Sequence, residues 1–333
     1  MESNLGITMT ATIRRIEILV LGVCILAFAV VTIPAILRAG DDAKDLGCRH
    51  RLRAIGEAFL RYETATGGLP PRRTGFNDGN PYGGWGCQIL PYLGLGPDGD
   101  RYDLGYDFFD PKNREVVEAW APAFVCPASP PGRVVQIQSQ ATTKSLNGDK
   151  DTVHSCKAAP TDFIASNGYL AGGVGFMATA FGRDSGIGNQ RQPLADNARS
   201  PTAAITDGLS RTLLLIEQAG RPSVWRHQTE RPGDGQFGIS PNARGAWAGW
   251  GSIAFGPANA ETGDTPGKGD GTDCTVNCNN WHGIYGFHEG GAHVLFCDGS
   301  VRFIGLDLDP LTFAYLTIRN DGHLICEDAF RGK

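Results

Sequence analysis

The chain has 333 residues, a net charge of −5 and a pI of about 5.8. It contains no basic tract, which excludes nucleic acid as an expected partner. Glycine (46 residues) and proline (20 residues) predict a loop-rich protein, while the 41% hydrophobic fraction argues against disorder. The length suits one large domain or two ordinary ones.

The N-terminal region contains an uncharged segment, ILVLGVCILAFAVVTIPAIL, at residues 18–37. As a helix it would span roughly 30 Å, the thickness of a bilayer core. Arg14 and Arg15 precede it, so the positive-inside rule places residues 1–15 in the cytoplasm and the domain that follows outside it. We predict a transmembrane helix at 16–37 and a single-pass protein of the inner (cytoplasmic) membrane. A cleaved signal peptide is the alternative, although no convincing small-x-small cleavage site is present.

An amphipathic helix is predicted to continue this segment through residues 38–66. Apolar residues recur there at steps of three and four, namely Cys48, Leu52, Ile55, Phe59 and Tyr62. Pro34 predicts a kink, and the Gly-Gly and Pro-Pro pairs at 67–71 end the helix.

Residues 67–333 are predicted to form an extracytoplasmic α+β domain with a mainly antiparallel sheet and long loops. Asp110 and Pro111 favour a short helix at 110–120. Strands are expected at 123–127 and 162–172, a tight turn at Asp207-Gly208, and long loops at 130–159 and 218–273.

The stretch HEGGAHVLFCDG, residues 288–299, differs from the zinc-protease motif H-E-x-x-H in spacing, and its two glycines disfavour a helix. Asp298-Gly299 lies between two apolar runs, and this pattern predicts a β-hairpin with a type I′ turn. We expect residues 294–296 to pair with 301–303, with positive φ at Gly299. His288 and Asp298 need not touch, and His288 and His293 would face opposite sides of one strand. A metal site is not predicted here.

Eight of the nine cysteines lie outside the apolar segment, and in an oxidising compartment an even number predicts disulfides. Cys48 lies on the helix, and Cys126 ends a predicted strand expected to pack on it. The predicted bridges are Cys48–Cys126, Cys274–Cys278 and Cys297–Cys326. A zinc site at Cys274-x3-Cys278-x3-His282 is the alternative, but paired C-x2-C motifs are absent.

The order of these features resembles the prepilin-like family with a C-terminal H-x9-DG motif, catalogued as a domain of unknown function (1559). The motif is carried by His288, Asp298 and Gly299, and ITDGLSRTLLLIE matches a second family stretch through Asp207, Gly208 and Glu217, among other residues. The segments LPPR, ILPYL and AFVCPAS also match. The resemblance implies a pilin-like fold and a relationship to subunits of type IV pili and type II secretion pseudopili, so pilin-like subunits are expected partners.

The N-terminus departs from the family's prepilin pattern, Gly followed by F-T-L-I-E. Thr12 replaces the cleavage-site glycine, and Arg14 and Arg15 stand at positions that are normally uncharged. The resemblance assigns Glu17 to the pilin assembly position, although an i, i+3 ion pair with Arg14 is an equal alternative. We expect no cleavage by a prepilin peptidase.

Three functions fit the sequence, and we favour a non-catalytic, membrane-anchored pseudopilin-like protein without cofactor. The alternative is an anchored receptor for a solute or glycan, using tryptophans of the second half: Trp225, Trp247, Trp250 and Trp281. A hydrolase is disfavoured because no G-x-S-x-G elbow is present. The acidic loop at 97–107 could bind calcium, but it lacks the EF-hand pattern.

Overall fold

The computed structural model describes residues 3–95, 101–119, 121–146, 152–169, 191–232, 245–249, 251–264, 273–323, 325–326 and 328, with side chains from residue 19 onward. Contacts divide the chain into two compact units, Met1–Leu46 and Gly47–Lys333. The fold is α+β, as predicted.

Helix α1 runs from Ser3 to Thr66, with Pro34 inside it. Its apolar side chains between Leu19 and Leu37 are mostly exposed. By length and composition this helix could cross a membrane, and a signal sequence near an N-terminus has the same two properties. The predicted amphipathic part is confirmed, since Cys48, Leu52 and Phe59 are buried in the core of the second unit.

Helix α1 ends at Thr66 because the next residue, Gly67, leaves the helical conformation. Gly67 has φ 81°, a left-handed conformation that favours glycine, and its N–H donates to the carbonyl of Glu63 at 2.7 Å.

The strands of the second unit are β1 (Arg73–Thr74), β2 (Gly83–Gly84), β3 (Val135–Gln140), β4 (Val153–Ala158), β5 (Phe163–Tyr169), β6 (Leu213–Glu217), β7 (Trp225–Arg226), β8 (Thr229–Glu230), β9 (Ser252–Phe255), β10 (Gly291–Phe296) and β11 (Val301–Gly305). Further helices are α2 (Trp85–Ile89), α3 (Arg114–Glu118) and α4 (Pro310–Thr317). The main sheet has five strands in the order β11-β10-β6-β5-β9. Its pairs are antiparallel except β5 with β9, so the sheet is mainly antiparallel as predicted.

This sheet separates two apolar clusters. Leu215 and Leu295 belong to the cluster that contains the second half of α1, and Ile216 and Val294 belong to the cluster that contains α4. Neighbouring residues of a strand point to opposite faces, which explains why β6 and β10 are buried along their whole length.

Several predicted elements are wrong. Residues 123–127 form no strand, because Pro122 begins a 3-10 helix, Pro122–Phe124. The predicted loop at 130–159 contains the antiparallel pair β3–β4, and the one at 218–273 contains β7, β8 and β9. The helix expected at 110–120 begins later, at Arg114. By contrast, the tight turn expected at Asp207-Gly208 is present, since residues 206–207 form a turn that leads into a 3-10 helix, Leu209–Arg211.

The C-terminal hairpin is confirmed. His293 pairs with Phe303 and Leu295 with Val301 in an antiparallel register, and Gly299 has φ 82°. The type I′ assignment is wrong, because Asp298 does not share the positive φ that this turn requires.

The second half of α1 packs against this hairpin through a glycine. A Cβ on Gly56 would lie 2.8 Å from Cδ1 of Leu295 and 3.3 Å from the backbone of Gly299. The absence of a side chain at Gly56 therefore lets the helix approach the hairpin closely.

Candidate functional site

Four side chains with potential metal-ligand atoms meet between α1 and the sheet. They are Cys48, Cys126, Glu217 and His288, and their ligand atoms all lie within 4.8 Å of one another. Cys48 and Glu217 are 0% exposed, Cys126 is 1% exposed and His288 is 8% exposed. We call these four residues the buried cluster.

The two cysteines enter the cluster from different elements. Cys48 lies on α1, and Cys126 follows the 3-10 helix at 122–124. The N–H of Cys126 donates to Oδ2 of Asp162 at 2.8 Å, and Arg133 pairs with the same carboxylate at 2.7 Å. A buried ion pair thus fixes the backbone of Cys126.

Glu217 is the last residue of β6. Its Oε2 accepts the N–H of His293 on the neighbouring strand at 2.9 Å, and its Oε1 lies 3.5 Å from Nε2 of His288. Among the described residues, Oε1 has no hydrogen-bond partner. A Cβ on Gly286 would lie 2.9 Å from Oε2, so the glycine leaves room for the carboxylate.

His288 reaches the cluster because it precedes β10 rather than lying in it. A bridge joins His288 to Gly291, and Gly290 between them has φ 77°. This turn brings Nε2 of His288 to 3.2 Å from Sγ of Cys126. The rings of His288 and His293 are 5.0 Å apart, so the expectation that they face opposite sides is wrong.

The cluster combines a charged pair with thiols. Burial lowers the pKa of His288, but contacts with Cys126 and Glu217 outweigh burial and raise it to about 10. Burial raises the pKa of Glu217, but the contacts with His288 and the N–H of His293 outweigh burial and hold it below the usual value. Burial, together with Cys126 and Glu217, raises the pKa of the Cys48 thiol. With these pKa values, the cluster at neutral pH contains the Glu217 carboxylate facing the His288 imidazolium, and the Cys48 thiol is protonated.

The predicted motif residues fall into three places. Glu217 and His288 meet in the buried cluster. Asp298, which is exposed, and Gly299 form the hairpin turn, where Oδ1 of Asp298 accepts the N–H of Ser300. Asp207 lies elsewhere, and its carboxylate accepts the N–H groups of Asp321 and Gly322 at 2.7 and 3.0 Å, next to Gly208 with φ 104°. The side chain of Glu17 lies outside the described residues.

The cysteine predictions have mixed outcomes. The Cys274–Cys278 disulfide is confirmed, and it replaces the zinc site considered at those residues. The Cys48–Cys126 and Cys297–Cys326 bridges are wrong, because all four of these cysteines are free. Cys126 does approach Cys48, as expected, but as a second thiol of the buried cluster.

The tryptophans do not form one exposed patch in the part of the chain that the structure describes. Trp247 is 1% exposed and stacks on Phe124 with ring centroids 5.2 Å apart. Trp225 packs edge-on against Phe287. Trp281 packs beside the cluster that contains α4, and Trp250 lies outside the described residues.

The acidic loop also serves the fold. The buried carboxylate of Asp107 accepts the N–H of Tyr82 and both the N–H and the hydroxyl of Thr142. Two nearby pockets, of about 590 and 380 Å³, are lined by Arg101 and Glu115, and none of the four buried-cluster residues lines either one.

The fold and its N-terminal helix define an α+β protein with a segment suited to membrane anchoring. Residues 42–311 match a family described as "protein of unknown function (DUF1559)", and the chain belongs to this family. No curated protein and no solved structure matches the chain.

Proposed function

We propose that this protein is a non-catalytic, membrane-anchored, extracytoplasmic protein with a pseudopilin-like role. Helix α1 is the main support for membrane anchoring. It exposes apolar side chains over Leu19–Leu37, and from Cys48 onward it supplies core residues to the sheet domain. Exposed leucine, isoleucine and valine at this density are stable in lipid or against other apolar helices. The match to the family and the charges flanking the segment support anchoring with the domain outside the cytoplasm.

The buried cluster supports a non-catalytic role. Its side chains are at most 8% exposed, and general acid-base or nucleophilic catalysis requires a group within reach of a substrate. The described tryptophans mostly act as packing residues, which does not favour the solute-binding alternative.

The pseudopilin-like role is tested by photo-crosslinking in native membranes. A photoreactive residue replaces Leu26, which is 67% exposed on α1, and the matched control replaces Leu146, which is 68% exposed in the domain. We expect Leu26 to give adducts with the N-terminal helices of other prepilin-like proteins, identified by mass spectrometry, and Leu146 to give none. Adducts with lipid alone would contradict the pseudopilin-like role while leaving membrane anchoring intact.

A further inference from the structure

We propose that Cys48, Cys126, Glu217 and His288 bind one zinc ion that joins helix α1 to the sheet. Two sulfurs, one imidazole nitrogen and one carboxylate oxygen form a donor set that zinc accepts in four-coordinate sites. Such a zinc, with bonds of roughly 2.0–2.3 Å, holds its ligand atoms roughly 3.3–3.8 Å apart. The ligand atoms here lie within 4.8 Å of one another, so small side-chain adjustments suffice.

The surroundings of the site hold its ligands in place. Asp162 fixes the backbone of Cys126, and the N–H of His293 fixes one oxygen of Glu217. The other oxygen, Oε1, is buried without a hydrogen-bond partner among the described residues and lies 3.5 Å from Nε2 of His288. Outer contacts of this kind orient metal ligands, and Oε1, which faces Nε2 of His288, is the carboxylate oxygen that a cation would use.

Zinc accounts for more of the cluster than a disulfide does. A disulfide between Cys48 and Cys126 would use the two thiols, but Oε1 of Glu217 would still have no hydrogen-bond partner among the described residues. Zinc binding engages all four side chains, through the two sulfurs, Nε2 of His288 and Oε1 of Glu217. Bound thiolates are also protected from oxidation, which explains how two adjacent cysteines could persist in an oxidising compartment.

The net charge of the occupied site is −1, from one zinc ion, two thiolates and one carboxylate. Arg51, one turn after Cys48 on α1, donates to the carbonyl of Val125 beside Cys126. Its positive charge therefore lies close to the ligands. The ion would cross-link segments from residue 48 to residue 288, so its role is structural. Because the unfolded chain has no preformed site, the free energy of zinc binding would stabilise the folded state.

The test uses the full chain, purified from membranes in detergent, with elemental analysis for zinc. We expect about one zinc per chain, as for a structural site. We expect its loss in Cys48→Ser and in His288→Gln, and its retention in the control Cys87→Ser, a buried cysteine outside the cluster. Zinc content unchanged in both cluster variants would overturn the proposal.

A second measurement does not depend on the folding of the variants. Chelator-treated wild type is kept reduced and titrated with cobalt(II), and the expected result is a sulfur-to-cobalt charge-transfer band with tetrahedral d–d bands, together with a higher Tm on adding zinc. The absence of these bands and of any Tm change would contradict the site. A Cys48–Cys126 disulfide found by mass spectrometry in protein isolated from membranes would do the same.

Discussion

Sγ of Cys126 lies 3.2 Å from Nε2 of His288, although 162 residues separate them in the chain. Cys48 on α1 belongs to the same cluster, and a bridge between His288 and Gly291 places His288 before β10. Helix α1 provides both the apolar N-terminal segment and one residue of the buried cluster, Cys48.

The packing of α1 on the hairpin predicts that Gly56→Leu is destabilising. The added side chain would meet Leu295 and the backbone of Gly299, and overpacking of this kind costs about 1–3 kcal/mol, against a gain in helix propensity of about 0.8 kcal/mol. Thermal unfolding of the detergent-solubilised chain measures the effect. Gly40→Leu is the control, because nothing lies within 4 Å of a Cβ at Gly40. Equal Tm values for the two variants would contradict this packing.

The hairpin turn predicts a loss of roughly 1 kcal/mol or more in Gly299→Ala. A Cβ is strained at φ 82° and would also lie 3.0 Å from Cδ1 of Leu60. Urea unfolding gives the free energy. The exposed Glu289→Ala is the control and should remain within about 0.5 kcal/mol of wild type. A stable Gly299→Ala would disprove the left-handed turn.

A second, partly buried ion pair predicts a pH-dependent effect on the stability of the fold. Oδ1 of Asp196 accepts from Nε of Arg72 and of Arg73 at 2.8 and 2.7 Å. Burial raises the pKa of Asp196, but these two arginines outweigh burial and lower it. A carboxyl group whose pKa is lower in the folded state stabilises the fold at pH values above its unfolded pKa of about 3.9. This contribution to stability is lost as the pH falls through the folded pKa.

Asp196→Asn should therefore destabilise the protein by about 3 kcal/mol at pH 7, because the two guanidinium groups lose the negative charge of their carboxylate. The difference in free energy of unfolding between this variant and wild type should become smaller in acid. Urea unfolding at several pH values between pH 7 and pH 3 measures this difference. Asp41→Asn, in an exposed pair with Lys44, should have little effect at any pH. A difference that stays constant with pH would contradict the ion-pair account.

The sequence predicts an N-terminus that a prepilin peptidase does not cut. Thr12 stands where glycine is expected, and Arg14 and Arg15 add charges that cost about 2.5–3.5 kcal/mol each at mid-membrane. Without the cut, no free amine arises at Ile13, four residues before Glu17. Mass spectrometry of the native N-terminal peptide measures this. A mature chain starting at Ile13 with a methylated amine would refute the prediction.

Local patterns predicted the helix, the hairpin and the strand at 163–169, because periodicity and glycine conformations are encoded by neighbouring residues. The approach of Cys126 to Cys48 is predicted from the sequence, but the complete buried cluster is not, because its four residues come from distant segments. Periodicity assigns Cys48 to an apolar face, and the sequence pattern places His288 only before a hairpin. The strand predicted at 123–127 failed because Pro122 favours a tight turn over a ladder position. Gly290 and Gly291, which disfavour a helix, are the local sequence signal for the turn between His288 and β10.

Membrane anchoring with the domain outside the cytoplasm is tested most directly by the fate of a C-terminally tagged chain in spheroplasts. The account predicts an uncleaved chain that pellets with membranes after an alkaline wash and whose tag is digested by protease added outside. A shorter chain in the soluble fraction, beginning beyond Leu37, would show that the apolar segment is a cleaved signal sequence and would contradict the account.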